Sequence, residues 1–379
     1  MIMSGYQEAG ATNTGAELQA ATLIRHLRQN GCQVTVIAKK HTWRSPWQEM
    51  IDGVEVYRVG PPGLRRLMAA AILWRQRRKF DIVHVHGQDG LGVAAITLAQ
   101  LLGLPSLLKV TMAGRVFVRT AWDKPFPRSW RIFRRLSNLL ARRATAYIAI
   151  SQQIAEELPR AGYHRERIVR LPNGVDTNRF HPVTDEKRIR LRRDLGLPEK
   201  AKIVLFASRL IPRKGFDLLL AAWPDIKSRH ANAHLVVVGG GPAAAVGALQ
   251  RLNEATPGAV TYIGEVADTA PYLQCADVFV FPSRGEGLPN ALLEAMACGC
   301  ACAASDLEGC QELLDSGRCG VLFTRNDAAA LTAAVCALLA EPVRAQALGQ
   351  AAAQRAASDF DITVVARRVM ALYEALARR

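Results

Sequence analysis

The sequence predicts an α/β protein built from two doubly wound parallel sheets, one after the other along the chain. Short apolar segments typical of strands alternate with helical patterns throughout, as at residues 16–28. A first set of strands is predicted at CQVTVIAKK, DIVHVHG, PSLLKVT and AYIAIS, and a second at AKIVLFAS, AHLVVVGGG, VTYIG, DVFVFPS and ACAAS. Strands that alternate with helices form parallel sheets, which bind ligands beyond the carboxyl ends of their strands.

A run of turn-forming residues separates the two sets of strands. Pro172, Asn173, Gly174 and Pro182 interrupt the pattern within RIVRLPNGVDTNRFHP. We therefore place a domain boundary at Asn178, which gives domains at residues 1–178 and 179–361, and we expect a last helix at 362–379 to return to the first domain. Only four residues precede Gly5, so the first strand is either very short or clipped.

The composition indicates a folded protein with a large core. The chain has 379 residues, of which 50% are hydrophobic and 22% charged, and the Ala-rich stretch at 328–357 has helical spacing. We expect a cytosolic protein with free thiols, because no leader-like segment or apolar run of membrane-spanning length is visible. The alternating Cys298, Cys300 and Cys302 suggest one buried face of a strand, with a zinc site as the less favoured alternative.

The net charge of +16 is concentrated in one segment. Residues 115–143 contain nine Arg or Lys and one Asp, and five aromatic residues interrupt the cations: Phe117, Trp122, Phe126, Trp130 and Phe133. Such a segment suits the surface of an anionic membrane, while the alternative is a basic helix with aromatic core positions. Nucleic acid is a remote alternative partner, because no helix-turn-helix, zinc-finger or RNP motif accompanies the charge.

The segment PSRGEGLPNALLEAMACG, residues 282–299, contains the strongest candidate site. It follows an apolar strand, and its glycines permit tight turns before a helix that we expect to start around Pro289. Free N–H groups at a helix start bind anions and polar ligands. Glu286 on the loop and Glu294 on the helix are carboxylates that can accept hydrogen bonds from sugar hydroxyls.

A second candidate site follows the strand AKIVLFAS. Arg209 and Lys214 flank the loop in ASRLIPRKGFDLLL, and both could hold a diphosphate, Arg as a planar fork and Lys as a point charge. Alone, this pattern is weak, since a solvated basic loop looks the same.

Together these motifs resemble the retaining GT-B glycosyltransferases of the "glycosyl transferases group 1" type, glycosyltransferase family 4. LPNGVDTNRFHP, SRLIPRKGFDLLL, VVVGGGP, VTYIGEV, YLQCADVFVFPS and EGLPNALLEAMACG appear in the family's order and spacing, over nearly the whole chain. The resemblance implies two Rossmann-like domains facing across a cleft, the first binding the acceptor and the second the donor. It also implies transfer from a nucleotide-diphosphate sugar, with UDP favoured over GDP, and no metal or other cofactor.

The resemblance assigns a role to each matching residue. Arg209 and Lys214 would bind the diphosphate, Glu286 the hydroxyls of the donor sugar and Glu294 those of the ribose. Gly15 would lie near the diphosphate and acceptor. The remaining donor-binding positions are Gly264, Glu265 and Val266 beside the base, and Gly287, Leu288, Pro289 and Asn290 along the loop and helix start.

One departure from the family pattern concerns the acceptor side. Many relatives carry T-x-H-G where this chain has TMAG, so Ala113 stands at the position of the usual His. His84 and His86 share one face of the strand DIVHVHG, and His86 is the candidate for contact with substrate. A histidine that packs in the core or caps an element is the alternative.

The expected mechanism is front-face attack with retention, in which the leaving phosphate takes the acceptor proton and Glu286 orients the sugar. A double displacement with a carboxylate nucleophile is the alternative. The acceptor is expected to be a glycan or lipid-linked molecule on the inner face of the cytoplasmic membrane. A nucleotide-sugar epimerase or a phosphorylase of similar fold is the competing class of enzyme, although no pyridoxal-lysine motif is visible.

Overall fold

A computed structural model describes residues 1–7, 15–42, 44–112 and 128–378, with the side chains of residues 128–134 left out. The chain forms two compact units, one made of residues 1–174 and 362–379 and the other of 175–361. The chain passes between the units at Gly174 and Val175, close to Asn178, and returns at Asp361 and Ile362. The first is called unit 1 and the second unit 2.

Unit 1 contains an eight-stranded sheet in the order β3-β4-β2-β1-β5-β6-β7-β8. Every strand pair is parallel except β3 with β4. The strand β1 has only two residues, yet it pairs with both β2 and β5. The strands are β1 (Ile2–Met3), β2 (Thr35–Lys39), β3 (Gln48–Ile51), β4 (Val54–Val59), β5 (Val83–His86), β6 (Ser106–Val110), β7 (Ala146–Ala149) and β8 (Ile168–Arg170).

The antiparallel pair of β3 and β4 corrects the prediction of a wholly parallel sheet. The two strands are joined by Asp52 and Gly53, which have φ values of 48° and 72°. Asp-Gly is a favoured pair in the two-residue turns that need positive φ at both central positions. The Asp-Gly pair is therefore a sequence signal for this hairpin, which the alternation of strands and helices does not reveal.

The C-terminal helix belongs to unit 1, although the whole of unit 2 separates it from the rest of that unit in sequence. This helix, α14 (Ile362–Ala377), packs against α1 (Gly15–Gln29) and reaches the sheet, where the Tyr373 hydroxyl lies 2.5 Å from His84 Nδ1. The other helices of unit 1 are α2 (Arg65–Gln76), α3 (Gly90–Leu101), α4 (Arg128–Ala141) and α5 (Gln152–Arg160).

Unit 2 contains a six-stranded parallel sheet in the order β11-β10-β9-β12-β13-β14. The order grows outward from β9 in one direction and from β12 in the other, as in the doubly wound Rossmann arrangement. A crevice at the carboxyl ends of β9 and β12 is the expected ligand site of such a sheet. The strands are β9 (Lys202–Ala207), β10 (Ala233–Val238), β11 (Val260–Gly264), β12 (Val278–Phe281), β13 (Ala301–Ser305) and β14 (Val321–Phe323).

Helices cover the sheet of unit 2 and close a core centred on Trp223, which is fully buried. They are α6 (Asp185–Asp194), α7 (Phe216–Arg229), α8 (Ala243–Ala255), α9 (Ala270–Cys275), α10 (Asn290–Ala297), α11 (Glu308–Leu313), α12 (Ala328–Ala340) and α13 (Pro342–Asp359). The Ala-rich stretch forms α12 and α13, so the prediction of helices there is confirmed.

Within the described residues, no single helix is long and apolar enough to cross a membrane. The helices α12 and α13 reach the required length and composition only together, and they are bent by 102° where they meet.

The alternating cysteines do not share one strand. Cys298 follows α10, Cys300 immediately precedes β13, and only Cys302 lies within that strand, so the prediction of a single strand face is wrong. All three are buried as predicted, and their thiols are free. Burial raises the pKa of each, which favours the neutral thiol.

We predict that Tyr373→Phe destabilises unit 1 by about 1–2 kcal/mol, because it deprives a buried histidine of its hydrogen bond. His84 Nε2 is already buried without a hydrogen bond to a described residue, so the imidazole would lose its contact at Nδ1 as well. Urea unfolding of the variant measures the effect, with Tyr262→Phe as a control at an exposed tyrosine. Equal losses in both variants would contradict this role for Tyr373.

Candidate functional site

The loops after β9 and β12 are in direct contact at the point where the strand order of unit 2 reverses. Gly215, with a φ of 69°, lies so close to Pro282 that a Cβ atom there would be 1.8 Å from the Pro282 carbonyl oxygen. The backbone N–H of Arg284 donates to the carbonyl of Arg213 at 2.8 Å. Only glycine permits both the positive φ and this approach, so Gly215 brings the two predicted motifs together.

Glu286 lies at the centre of this contact. Its Oε1 atom accepts hydrogen bonds from Lys214 Nζ at 2.6 Å, Ser283 Oγ at 2.8 Å and Arg213 Nη1 at 3.1 Å. The side chains of Glu286 and Lys214 are only 12% and 15% exposed, so both ions are largely withdrawn from water. The three donors and the carboxylate form a charge-assisted cluster, in which each ion compensates its partner for part of the lost hydration.

Arg213 is a member of this centre that the sequence interpretation missed. Its guanidinium donates to the Gly285 carbonyl as well as to Glu286, and its own carbonyl accepts from Ser283 and Arg284. In the sequence, PRKG places Arg213 directly before Lys214. Adjacency alone does not show which of the two cations contacts the glutamate.

Arg284, also missed, fixes the outer side of the same loop. It pairs with both carboxylate oxygens of Asp217 on α7, at 2.6 and 2.7 Å, and its Nε donates to Asn326 at 2.6 Å. A further hydrogen bond joins it to the Pro212 carbonyl. A two-pronged Arg–carboxylate pair restricts orientation as well as distance, so the Glu286 loop is held from both sides.

Arg209 takes a different position from Lys214. It lies on the same loop but is exposed, and among the described residues it forms no ion pair. The structure therefore brings Lys214, but not Arg209, into contact with Glu286. A diphosphate clamp formed by Arg209 and Lys214 stays a prediction.

The helix start beside Glu286 differs by one residue from the expected position. The helix α10 begins at Asn290, and Pro289 is the residue before it. Gly287, Leu288 and Pro289 are buried, while Asn290 is half-buried. Gly309 packs directly against this loop, because a Cβ atom at Gly309 would lie 2.4 Å from the Gly287 carbonyl oxygen.

Glu294 is half-buried on the second turn of α10. Burial raises its pKa from 4.5 to about 7, an effect opposed by Arg179 and reinforced by Asp268. Arg179 and Asp268 form an ion pair with each other at 2.6 Å. A carboxyl with this pKa changes charge near neutral pH, which is unusual for glutamate and typical of functional sites.

The loops after β10 and β11 meet next to the loop after β9. Leu210 N donates to the Gly240 carbonyl at 2.8 Å, and Gly239 N donates to the Gly264 carbonyl at 2.7 Å. A Cβ on Gly240 would lie 2.4 Å from Glu265 Oε1, so the glycine leaves room for that side chain. Gly264, Glu265 and Val266 thus lie at the carboxyl edge of the sheet, and their position beside a nucleotide base stays a prediction.

His86 ends β5 in unit 1, next to the reversal of strand order between β1 and β5. It is 92% buried, its ring centroid is 4.4 Å from that of His84, and its Nε2 forms no hydrogen bond with a described residue. Burial, with His84 and Lys109 nearby, holds its pKa well below the usual value. His86 is therefore a neutral, buried histidine, and its contact with substrate stays a prediction.

Two further predicted positions lie at or beyond the limits of the described residues. Gly15 is exposed and begins α1. Ala113 lies outside the described residues, as do residues 115–127 of the basic segment 115–143, while residues 128–141 of that segment form α4. Within the part of the chain that the structure describes, no group of three or more His, Cys, Asp or Glu side chains is arranged to hold a metal ion.

Two family models match the chain, one to each unit. The model described as "Glycosyltransferase Family 4" matches residues 13–179, and that described as "Glycosyl transferases group 1" matches residues 201–341. The chain is also 30% identical to the D-inositol 3-phosphate glycosyltransferase 1 of Catenulispora acidiphila, over 97% of this chain and 92% of that protein.

A second relative is more similar over a shorter stretch. It is the GDP-mannose-dependent alpha-(1-6)-phosphatidylinositol monomannoside mannosyltransferase of Mycolicibacterium smegmatis, 39% identical over 192 residues. The match spans 48% of this chain and about half (49%) of that protein.

Among solved structures, the sucrose-phosphate synthase of Thermosynechococcus elongatus is similar with a TM-score of 0.81, covering 99% of this chain and 98% of that one at 23% identity. At this identity the likeness shows the fold alone, and that fold is GT-B with two Rossmann-like domains, as predicted.

We predict that the stability difference between Glu294→Gln and the wild type depends on pH. The raised pKa means that the folded protein keeps a proton that the unfolded chain loses, so wild-type stability falls as pH rises from about 4.5 to about 7. The glutamine variant lacks this loss, so it gains stability relative to the wild type over that range. Urea unfolding at pH 5 and pH 8 measures the difference, with Glu254→Gln as an exposed control. A pH-independent difference would contradict the assignment.

Proposed function

The chain belongs to glycosyltransferase family 4, and we propose that it moves a hexose-type sugar from a nucleotide-diphosphate sugar to a glycan or lipid-linked acceptor with retention of configuration. The observation that carries this proposal is the cluster of Glu286 with Lys214 and Arg213 at the strand-order reversal of unit 2. It combines cations for a diphosphate with a carboxylate for sugar hydroxyls in one place.

The chemical task of the cluster is to stabilise a leaving diphosphate. Negative charge builds on the phosphate oxygen as the bond to the anomeric carbon breaks. Lys214 supplies a largely buried positive charge for it, and Arg209, exposed on the same loop, would add a second cation. The start of α10, which follows the Glu286 loop directly, would add backbone N–H donors.

Glu286 fits an orienting role better than a nucleophilic one. Its Oε1 already accepts three hydrogen bonds, and these restrict the movement of the carboxylate. Front-face attack, in which the leaving phosphate accepts the acceptor proton, needs no enzymic nucleophile. The same reaction would need no metal, since Lys214 and Arg213 supply the positive charge.

The nucleotide is expected to be GDP or UDP. The sequence resemblance favoured UDP, but the mycolicibacterial relative is named as GDP-mannose-dependent, which supports GDP-mannose as the first donor to test. Glu294 would accept hydrogen bonds from the ribose, and Gly264 to Val266 would border the base.

Unit 1 would bind the acceptor. The neutral imidazole of His86 and the amine of Lys109 are buried neighbours across β5 and β6, and both suit a polar acceptor group. The relative's phosphatidylinositol monomannoside acceptor supports a lipid-linked substrate, and residues 115–143 would hold the enzyme on the inner face of the cytoplasmic membrane.

The donor assignment is tested by a thermal-shift panel of GDP-, UDP- and ADP-sugars, followed by measurement of donor hydrolysis or transfer. We expect GDP-mannose or a UDP-hexose to raise the melting temperature in the absence of metal and in the presence of EDTA. No stabilisation by any nucleotide sugar would contradict the proposal.

With the donor identified, Glu286→Ala should lower kcat by a factor of about 100 or more, because orientation and charge at the reacting sugar are lost. Arg209→Ala should mainly raise the KM for the donor. Arg229→Ala, an exposed arginine at the far end of α7, is the control. Near-normal turnover in Glu286→Ala would contradict the role of this residue.

Membrane attachment is tested by flotation with vesicles. We expect the protein to float with vesicles that contain phosphatidylglycerol and to remain behind with pure phosphatidylcholine, and the difference should shrink at high salt. Equal behaviour with both lipids would contradict attachment through the basic segment.

A further inference from the structure

All three hydrogen bonds to Glu286 converge on one oxygen atom. Lys214, Arg213 and Ser283 donate to Oε1, at 2.6, 3.1 and 2.8 Å, and no described residue donates to Oε2. A carboxylate that receives all its donors on one oxygen is held firmly and keeps the other oxygen for a ligand. Oε2 is therefore the atom that would meet a sugar hydroxyl.

The same cations are those that a diphosphate requires. Lys214 has three N–H donors, and its ammonium lies 2.6 Å from Glu286 and 5.7 Å from the centre of the Phe281 ring. With 15% of the side chain exposed, there is little water to replace a lost partner. A phosphate oxygen that approaches Lys214 must therefore share the cation with the carboxylate, and the two negative groups repel each other.

Arg213 is restricted in the same way. Its Nη1 atom donates both to Glu286 and to the Gly285 carbonyl, at 3.1 and 2.7 Å, so turning this nitrogen toward a phosphate costs two contacts. The Glu286 loop is in turn anchored from outside by Arg284 and Asp217. Glu286 thus cannot simply swing away when a phosphate arrives.

We propose that Glu286 is a specificity-determining residue that makes the site favour the intact nucleotide sugar over the free nucleoside diphosphate. This inference rests on the proposed function. A nucleoside diphosphate alone competes with Glu286 for Lys214 and Arg213, and it has no donor-sugar hydroxyl that could donate a hydrogen bond to the carboxylate. An intact donor also weakens these ion pairs, but its sugar hydroxyls donate to the carboxylate and offset the loss.

The same competition favours release of the nucleoside diphosphate product. Once the sugar has left, Glu286 loses its hydroxyl partners and regains its full attraction for Lys214. The nucleoside diphosphate is then the weaker competitor for the cation and dissociates more readily.

The test is the affinity of purified full-length variants for GDP and UDP, each without sugar, and for the matching nucleotide sugars, by isothermal titration calorimetry. Glu286→Gln keeps the shape and removes the charge. It should bind the free diphosphate about tenfold more tightly than the wild type, the scale of one charge-assisted hydrogen bond. Its affinity for the nucleotide sugar should rise much less, so the preference for the intact donor shrinks.

Two further variants separate competition from a general effect of charge. Glu308→Gln removes the same charge from an exposed position of unit 2 and should leave the preference unchanged. In the background of Lys214→Gln, Glu286→Gln should gain little affinity for the diphosphate, because most of the competition acts through that cation. Melting temperatures of all variants check that they fold.

Two results would overturn the inference, and they differ in what else they affect. If the wild type binds nucleotide sugar but Glu286→Gln binds GDP and UDP no more tightly, the discriminating role is wrong and the proposed function stands. If the wild type binds neither diphosphate nor any nucleotide sugar, the proposed function and this inference both fail.

Discussion

The contact between Gly215 and Pro282 is the constraint on which the donor half of the molecule depends. The two strands before these loops are adjacent because the strand order reverses between β9 and β12. Backbone can meet backbone there only where one residue lacks a side chain and adopts a positive φ. The contacts of Glu286 with Lys214 and Arg213 follow from this approach, since the two cations come from one loop and the glutamate from the other.

The sequence predicted most of the architecture because periodic patterns are local. Buried parallel strands appear as apolar runs, and helices fill the spaces between them. The strand order, by contrast, is a property of the whole chain, and β3 was missed because it is short and half-exposed. The antiparallel pairing of β3 with β4 was marked only by one Asp-Gly pair.

The candidate site was predictable in its residue types and not in its pairings. Glu286 and Lys214 stood out because glycine loops follow apolar strands, yet 72 positions separate them, and no local rule states that they touch. Arg213 and Arg284 were not predicted, because surface arginines are common and their roles depend on partners in other loops. The raised pKa of Glu294 likewise reflects burial that only the packed helix reveals.

The placement of α14 has a consequence for how the protein is made. Unit 1 needs a helix that follows the whole of unit 2 along the chain. Domains usually fold as they leave the ribosome, and the N-terminal one folds first. Here unit 2 is complete in sequence before unit 1 is, so the face of the first sheet around His84 stays uncovered until α14 has left the ribosome.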